Sequence, residues 1–378
     1  MYTSFSIENF RLFDQLTVEP LARVNLIAGQ NNAGKTALLE AIWLHSGQNT
    51  PDLAQRINIW RGLPASEPGE LFSELFRDYQ TDLPIQLAAS HDGGSTAGVL
   101  NIVRRRIADR TTTLAPGVSA AGENRRSPSD NMSDHEVLFD YEDDSGQTFA
   151  SRAWVELTSL PFDLPVPPGM QFDGNVPTVR AERGISSSDR KSSVFMQSLG
   201  RIAPPELAAR FGRAEIAGYI SDVEGVMRLI EPRLRRLTAV PSADGPALIY
   251  GDVGAGRIIP IALMGSGFSR LLELTLAFAE VSNGSIMVDE IENGLHHSVL
   301  TDVWQAVNRL SHTFNVQVFA TTHSYECIVA ANAAFSELGS NHLHLHRLYR
   351  RSPSESVKAI TYTKEALDTN IEYLWELR

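Results

Sequence analysis

The octapeptide Gly29-Gln30-Asn31-Asn32-Ala33-Gly34-Lys35-Thr36 fits the pattern G-x-x-x-x-G-K-[ST]. The apolar run Val24-Asn25-Leu26-Ile27-Ala28 precedes it and reads as a buried strand. After it, Thr36 to Leu44 has a helical period that puts Leu38, Leu39, Ile42 and Trp43 on one face. Strand, glycine-bounded loop and helix in that order leave little freedom of fold, because the loop's backbone N–H groups must converge at the positive end of the helix dipole. That concavity suits a polyphosphate. Lys35 is placed to reach the β- and γ-phosphates as a point charge, and the Thr36 hydroxyl to bind Mg²⁺. The competing reading, a chance match in a glycine-rich turn, loses ground to two later stretches.

Ser285-Ile286-Met287-Val288 is a second apolar run, and it ends in Asp289-Glu290. The tip of a buried strand in an α/β sheet borders the ligand crevice. There one carboxylate can hold the metal and the next can polarise an attacking water, so Asp289 is expected on the metal side and Glu290 as general base. Val316 to Ala320 is a third strand of this kind, running into Thr321-Thr322-His323-Ser324. A lone histidine at a strand end is more often structural, but this architecture would set His323 beside the terminal phosphate.

At 378 residues with a net charge of −12, the chain can bury a full core in two lobes, and its average charge argues mildly against a free-standing nucleic-acid binder. The local basic clusters Arg104 to Arg106, Arg233 to Arg236 and Arg347 to Arg351 read as solvated faces rather than phosphate tracks. No apolar run approaches the roughly 18–20 residues of a membrane span, and the N-terminal stretch does not read as a signal peptide. A cytoplasmic protein without membrane contact is expected. The single cysteine, Cys327, excludes an internal disulfide and is expected as a buried, inert thiol in a helix.

Along the chain, residues 1–28 read as two alternating strands leading into the loop strand, and Asn49-Thr50-Pro51-Asp52 as a helix start. Glu70 to Phe76 is helical in period. Leu83 to Ala89, Gly98 to Ile107 and His135 to Glu142 read as antiparallel strands, residues 108–134 as a mobile loop, and Pro161 to Pro177, with five prolines, as the end of that region. Residues 179–214 look polar and helical at best. Asp222 to Leu237 reads as one amphipathic helix bent at Pro232. Short strands at Ala247 to Tyr250 and Ile258 to Ile261 precede an apolar helix, Ser269 to Val281. A helix over about 296–311 separates the Asp289-Glu290 and His323 strands, the alternation of a parallel sheet. Leu343 to Tyr349, Ser356 to Tyr362 and a helix from Lys364 close the chain.

These residues resemble the ABC-type ATPase fold, in the branch that includes the SMC, RecF and OLD-like proteins. Gly29 to Thr36 with its Asn31-Asn32 pair resembles that branch's Walker A. Asp289-Glu290-Ile291-Glu292-Asn293-Gly294-Leu295-His296 resembles its Walker B running into the D-loop, and His323 matches the switch histidine. Ile7-Glu8-Asn9-Phe10-Arg11 resembles the opening strand whose basic residue lies near the nucleotide. Met264 to Leu271 occupies the place of the ABC signature. The resemblance implies an α/β P-loop NTPase: an ABC-ATPase head with a mixed central sheet, an antiparallel β subdomain and a helical insert. Residues 1–82 and 241–378 would form the ATPase core and 83–240 the insert. It implies ATP and Mg²⁺ as ligands, with Arg11, Asn31, Asn32, Ala33, Gly34, Lys35, Thr36 and Ala37 on the nucleotide and Thr36 and Asp289 on the metal. Glu290 and His323 would be catalytic. Gly265, Ser266 and Gly267 would serve the nucleotide of a second copy.

The signature here reads Gly-Ser-Gly rather than Ser-Gly-Gly, so Ser266 and Gly267 are both candidates for the phosphate contact. Gln55, Gln80 and Gln86 are all candidates for the Q-loop glutamine. A head without a following Toprim nuclease domain is expected, and Asp140-Tyr141-Glu142-Asp143-Asp144 reads as an acidic hairpin rather than a substitute for one. His342, His344 and His346 alternate on one strand face, where a solvated or partner-facing strand is favoured over zinc; His296-His297 reads as structural. The preferred function is an ATP-sandwiched homodimer, the ATPase subunit of a prokaryotic defence module acting with a separate nuclease or effector. A DNA-repair ATPase that binds DNA and a non-hydrolysing ATP-locked scaffold are the alternatives; a small-molecule kinase is disfavoured, since no acceptor site is legible.

Overall fold

The computed structural model describes residues 1–63, 72–91, 96–107, 132–159, 175–184, 192–198, 200, 202–241, 245, 247–350, 352 and 355–370. The expected loop at 108–134 and the proline-rich stretch therefore lie almost wholly outside the described residues. The chain opens with β1 (Tyr2–Phe10), β2 (Phe13–Val18), β3 (Val24–Gly29), α1 (Lys35–Ser46) and α2 (Pro51–Trp60). It continues through β4 (Ile85–His91), β5 (Thr96–Arg106), β6 (Met132–Glu142), β7 (Thr148–Ser159), β8 (Asn175–Glu182) and β9 (Ser193–Met196). Next come α3 (Pro204–Ile216), α4 (Ile220–Met227), β10 (Arg236–Val240), β11 (Leu248–Asp252), β12 (Ile259–Pro260) and α5 (Ser266–Glu280). The last third holds β13 (Ser285–Val288), α6 (Leu300–Thr313), β14 (Gln317–Thr321), α7 (Tyr325–Glu337), β15 (Leu343–Tyr349), β16 (Lys358–Tyr362) and α8 (Lys364–Asn370).

The six-stranded sheet, in the order β16-β15-β3-β14-β13-β9, is parallel except for β16 at one edge. Its central strands read as unbroken apolar runs because both faces are covered. The two-residue period decides which side each residue feeds. Leu26 and Ala28 of β3, Ile286 and Val288 of β13, and Val318 and Ala320 of β14 join one core with α3, α4, α5, α6 and α7. Ile27, Met287 and Phe319, one residue out of phase, join a second core with α1 and α2. The far wall of that second core is a seven-stranded antiparallel sheet, β2-β1-β4-β5-β6-β7-β8.

Helix α1 is therefore enclosed between two sheets. Every residue from Ala37 to Ser46 is buried, where the sequence period indicated a single apolar face. Full burial of each large apolar side chain contributes about 1.5–3 kcal/mol, and Leu38, Leu39, Ile42 and Leu44 are all at or below 1% exposure.

Two expectations change. The helix expected over Asp222 to Leu237 ends at Met227, and the chain turns into β10. Pro232 lacks the N–H a helix needs, and α4 itself satisfies the turn that replaces it: Arg228 donates to the carbonyls of Leu234 (2.8 Å) and Arg235 (2.9 Å), while Glu224 accepts from the Leu237 N–H (2.8 Å). Residues 179–214 are not merely helical: they hold the end of β8, all of β9, and α3. Four-residue β9 carries too short a pattern to announce itself, and its place comes from pairing with β13.

Candidate functional site

Three strand tips meet at one edge of the parallel sheet. At β3, Gly29 (φ 143°) turns the chain so tightly that a Cβ would lie 2.3 Å from the Leu348 carbonyl oxygen. Asn32 (φ 63°) and Gly34 (φ 96°) are also left-handed; a Cβ on Gly34 would come within 2.7 Å of the Phe13 ring. Gln30, Asn31 and Asn32 face solvent, Ala33 and Ala37 are buried, and Ala33 N–H closes the loop on the Gln30 carbonyl (3.2 Å). Lys35 Nζ curls back to the carbonyls of Gly29 (2.8 Å) and Gln30 (3.1 Å). Burial lowers its pKa from the ordinary lysine value, an effect opposed by the nearby carboxylates of Asp289, Glu290 and Glu292.

The Thr36 hydroxyl lies 3.1 and 3.2 Å from the two oxygens of Asp289, across from the loop at the tip of β13. Thr321, fully buried at the tip of β14, donates to Asp289 Oδ1 (2.6 Å) and accepts from the Glu290 N–H (2.8 Å). Glu290 has a left-handed backbone (φ 48°) and a carboxylate about a third exposed. His323 Nδ1 stands 3.4 Å from Glu290 and 3.3 Å from Glu292. Glu292, 10% exposed, accepts from the Thr322 hydroxyl (2.8 Å) and the His323 N–H (3.1 Å), so it fixes the loop that carries the histidine. Lys35, Thr36, Asp289, Glu290 and His323 thus share one cleft.

The residues fit a Mg-nucleotide. Thr36 and Asp289 converge as hard oxygen donors, which suits Mg²⁺ bound through few protein ligands. The Gly29 and Gly34 turns keep the loop free of side-chain bulk, and the loop's solvent face is open to a ligand.

Other expected residues lie elsewhere. Arg11 (φ 55°) turns into the protein: its side chain, 12% exposed, is 3.4 Å from Glu40 of α1 and donates to the Glu74 carbonyl (3.1 Å). Gly265, Ser266 and Gly267 open α5 at the surface, where a Cβ on Gly267 would come within 2.9 Å of the Gly294 carbonyl oxygen. Gln55 is on α2, Gln80 follows a short turn and Gln86 is on β4, so none of the three stands at the catalytic edge. Gln197 does. It follows Met196, whose carbonyl accepts from the Asp289 N–H (2.8 Å). Three apolar residues, Val194 to Met196, are too short a run to mark this tip in the sequence; its pairing with β13 places it.

The three histidines do not form a metal site: His344 bonds the Pro20 carbonyl (2.9 Å), buried His346 bonds Thr361 and Asn25, and His342 meets the His312 ring edge-on. Among the described residues no group of three or more histidine, cysteine or acidic side chains could hold a metal. Asp143 spends Oδ1 on Ser145 and Gln147 in the β6–β7 turn. Cys327 is buried in α7, its thiol pushed up to about 12 by burial and by Glu292. No helix among the described residues is long and apolar enough to cross a membrane.

Fold and site together define a P-loop ATPase: a phosphate loop leading from a parallel strand into a helix, with the acidic pair and the histidine on neighbouring tips. Residues 108–328, more than half of the chain, match the family described as "AAA domain, putative AbiEii toxin, Type IV TA system", and residues 4–144 match a second described as "AAA domain". The chain belongs to the AAA-domain family. It is 23% identical over 391 residues to a Helicobacter pylori protein named ATP/GTP phosphatase, a match that spans 100% of this chain and 98% of that one. Among solved structures it is similar to an SMC head bound to the C-terminal winged-helix domain of ScpA (11% identity, TM-score 0.49, 97% and 99% of the two chains). It is also similar to an Smc head with an extended coiled coil, bound to the C-terminal domain of ScpA derived from Pyrococcus furiosus (11%, TM-score 0.48, 99% of each chain).

Proposed function

We propose that the protein hydrolyses ATP in a dimer of heads, each site completed by the Gly265-Ser266-Gly267 turn of a second copy. The observation that carries this reading is the Thr36–Asp289–Thr321 oxygen cluster beside Glu290 and His323, with the signature-like turn exposed at the surface. A terminal phosphate needs donors on both sides, and one subunit supplies one side. The loop N–H groups and Lys35 hold the β- and γ-phosphates. Glu290 accepts a proton from the attacking water as its oxygen bonds to the γ-phosphorus and the bond to the β-phosphate oxygen breaks. His323, held between Glu290 and Glu292, orients that water and faces the departing phosphate; Gln197 offers an amide from the neighbouring tip. Mg²⁺, bound by Thr36 and Asp289, would neutralise charge on the phosphate oxygens. Loss of the bridging γ-phosphate then lets the heads part.

The experiment is a pair of variants. Glu290→Gln should bind ATP, accumulate as a dimer and lose turnover by about 100-fold or more, whereas Lys35→Ala should lose ATP binding. Normal hydrolysis by Glu290→Gln would remove the base assignment. The intact Asp289-Glu290 pair favours hydrolysis over an ATP-locked scaffold, and phosphate release measures the difference directly. The matching family's description names a toxin of a type IV TA system, which supports a role as ATPase subunit of a prokaryotic defence module with a separate nuclease or effector. Co-purification of such a partner from the native cell, with no cleavage by this chain alone, is the expected result.

A further inference from the structure

The peptide unit joining Asp289 to Glu290 is gripped at both ends. Its N–H is held by Thr321 Oγ1 (2.8 Å), and its carbonyl accepts from Arg270 Nη2 (3.2 Å). Arg270 lies in the first turns of α5, the helix that opens with Gly265-Ser266-Gly267. Its side chain is 11% exposed, its second terminal nitrogen faces Glu273 at 3.8 Å, and Glu273 is itself nearly fully buried. A guanidinium so placed is a costly thing to bury for packing alone. The residue immediately after the gripped peptide is Glu290, in the left-handed backbone that side chains other than glycine adopt only against a cost.

We propose that Arg270 is a positioning residue that couples occupancy of the α5 turn by a second copy's nucleotide to the alignment of Glu290. The inference rests on the head-dimer reading and deepens it. Two grips on one peptide plane fix where the Glu290 Cα and side chain begin. One grip, Thr321, belongs to the subunit's own sheet and does not report on the partner. The other is rigidly attached to the helix whose tip faces the partner. A displacement of α5 when its tip meets phosphate is transmitted through Arg270 to the carbonyl it holds, and so to the base. The arginine touches neither substrate nor water in this scheme; it acts through the backbone.

The test compares Arg270→Met, Arg270→Lys and the charge-balanced pair Arg270→Gln/Glu273→Gln with the wild-type chain. ATP affinity and ATP-dependent dimer formation, the latter read by size in a Glu290→Gln background, are expected to stay at wild-type levels. Turnover at saturating ATP is expected to fall about 100-fold with little change in KM, and Arg270→Lys to recover part of it. Without nucleotide, the Glu290 amide is expected to exchange its hydrogen faster in the methionine variant than in the wild type. Should Arg270→Met fail to fold, the glutamine pair decides on the same readouts. Wild-type turnover in a folded variant overturns the proposal, as does loss of ATP affinity in step with turnover, which marks a structural role. Failure of the head-dimer reading shows differently: there the Glu290→Gln chain alone would not dimerise with ATP.

Discussion

His346 is a buried imidazole held by a hydroxyl on one ring nitrogen and an amide oxygen on the other. It is fully enclosed between β3 and β16, with Nδ1 3.0 Å from the Thr361 hydroxyl and Nε2 3.1 Å from Asn25 Oδ1. Burial, with a smaller contribution from His344, moves its pKa from 6.5 down to about 3, so the folded protein keeps it neutral. The unfolded chain binds a proton below pH 6.5 and the folded chain does not until about pH 3, so stability from this group is complete above 6.5 and falls as the pH drops through that window. The limiting slope is about 1.4 kcal/mol per pH unit. Urea midpoints between pH 7 and pH 4 should decline in the wild type and flatten in His346→Gln. The same site tells how much a residue's neighbours can be read in advance. Alternation placed the three histidines on one strand face, but which of them a helix or a second strand covers is a tertiary fact. Arg11 is similar: the resemblance implied a place near the nucleotide, whereas its side chain is committed to Glu40 and the Glu74 carbonyl.

At the scale of elements, the loop is where the fold's tolerances are tightest. Gly34→Ala must adopt φ 96° and push a Cβ to 2.7 Å from the Phe13 ring at the β1–β2 hairpin. It should destabilise the chain by about 1–3 kcal/mol and weaken ATP binding at least about tenfold. Gly62→Ala also lies at positive φ, but a Cβ there meets nothing within 4 Å and should leave ATP binding unchanged. Urea midpoints and a nucleotide titration measure both. Elements whose place is written in contiguous residues were legible: the phosphate loop, the Asp289-Glu290 tip and the His323 tip each pair an apolar run with polar groups at its end. Four-residue β9, with Gln197 at its tip, was not, because the evidence for it is the partner strand β13. The boundary between α4 and β10 was hidden because an apolar helical period runs on through Val226, Met227 and Ile230 toward Leu234, past the turn at Pro232 that breaks it.

For the molecule as a whole, the exposed Leu263 offers a handle on association. It is 77% exposed two residues before Gly265, an unusual place to leave a large apolar side chain in water. If that turn meets a second copy, Leu263→Asp should abolish ATP-dependent dimerisation and turnover while sparing ATP binding to the single chain; light scattering with and without ATP, beside a nucleotide titration, reads both. Helix α1, meanwhile, has neighbours on all sides, wedged between one sheet and the other. A rod so confined cannot tilt by itself when a ligand arrives at its end. In the proposed head dimer, any movement that follows ATP would carry the rod, the hairpin behind it and the antiparallel wall as one block.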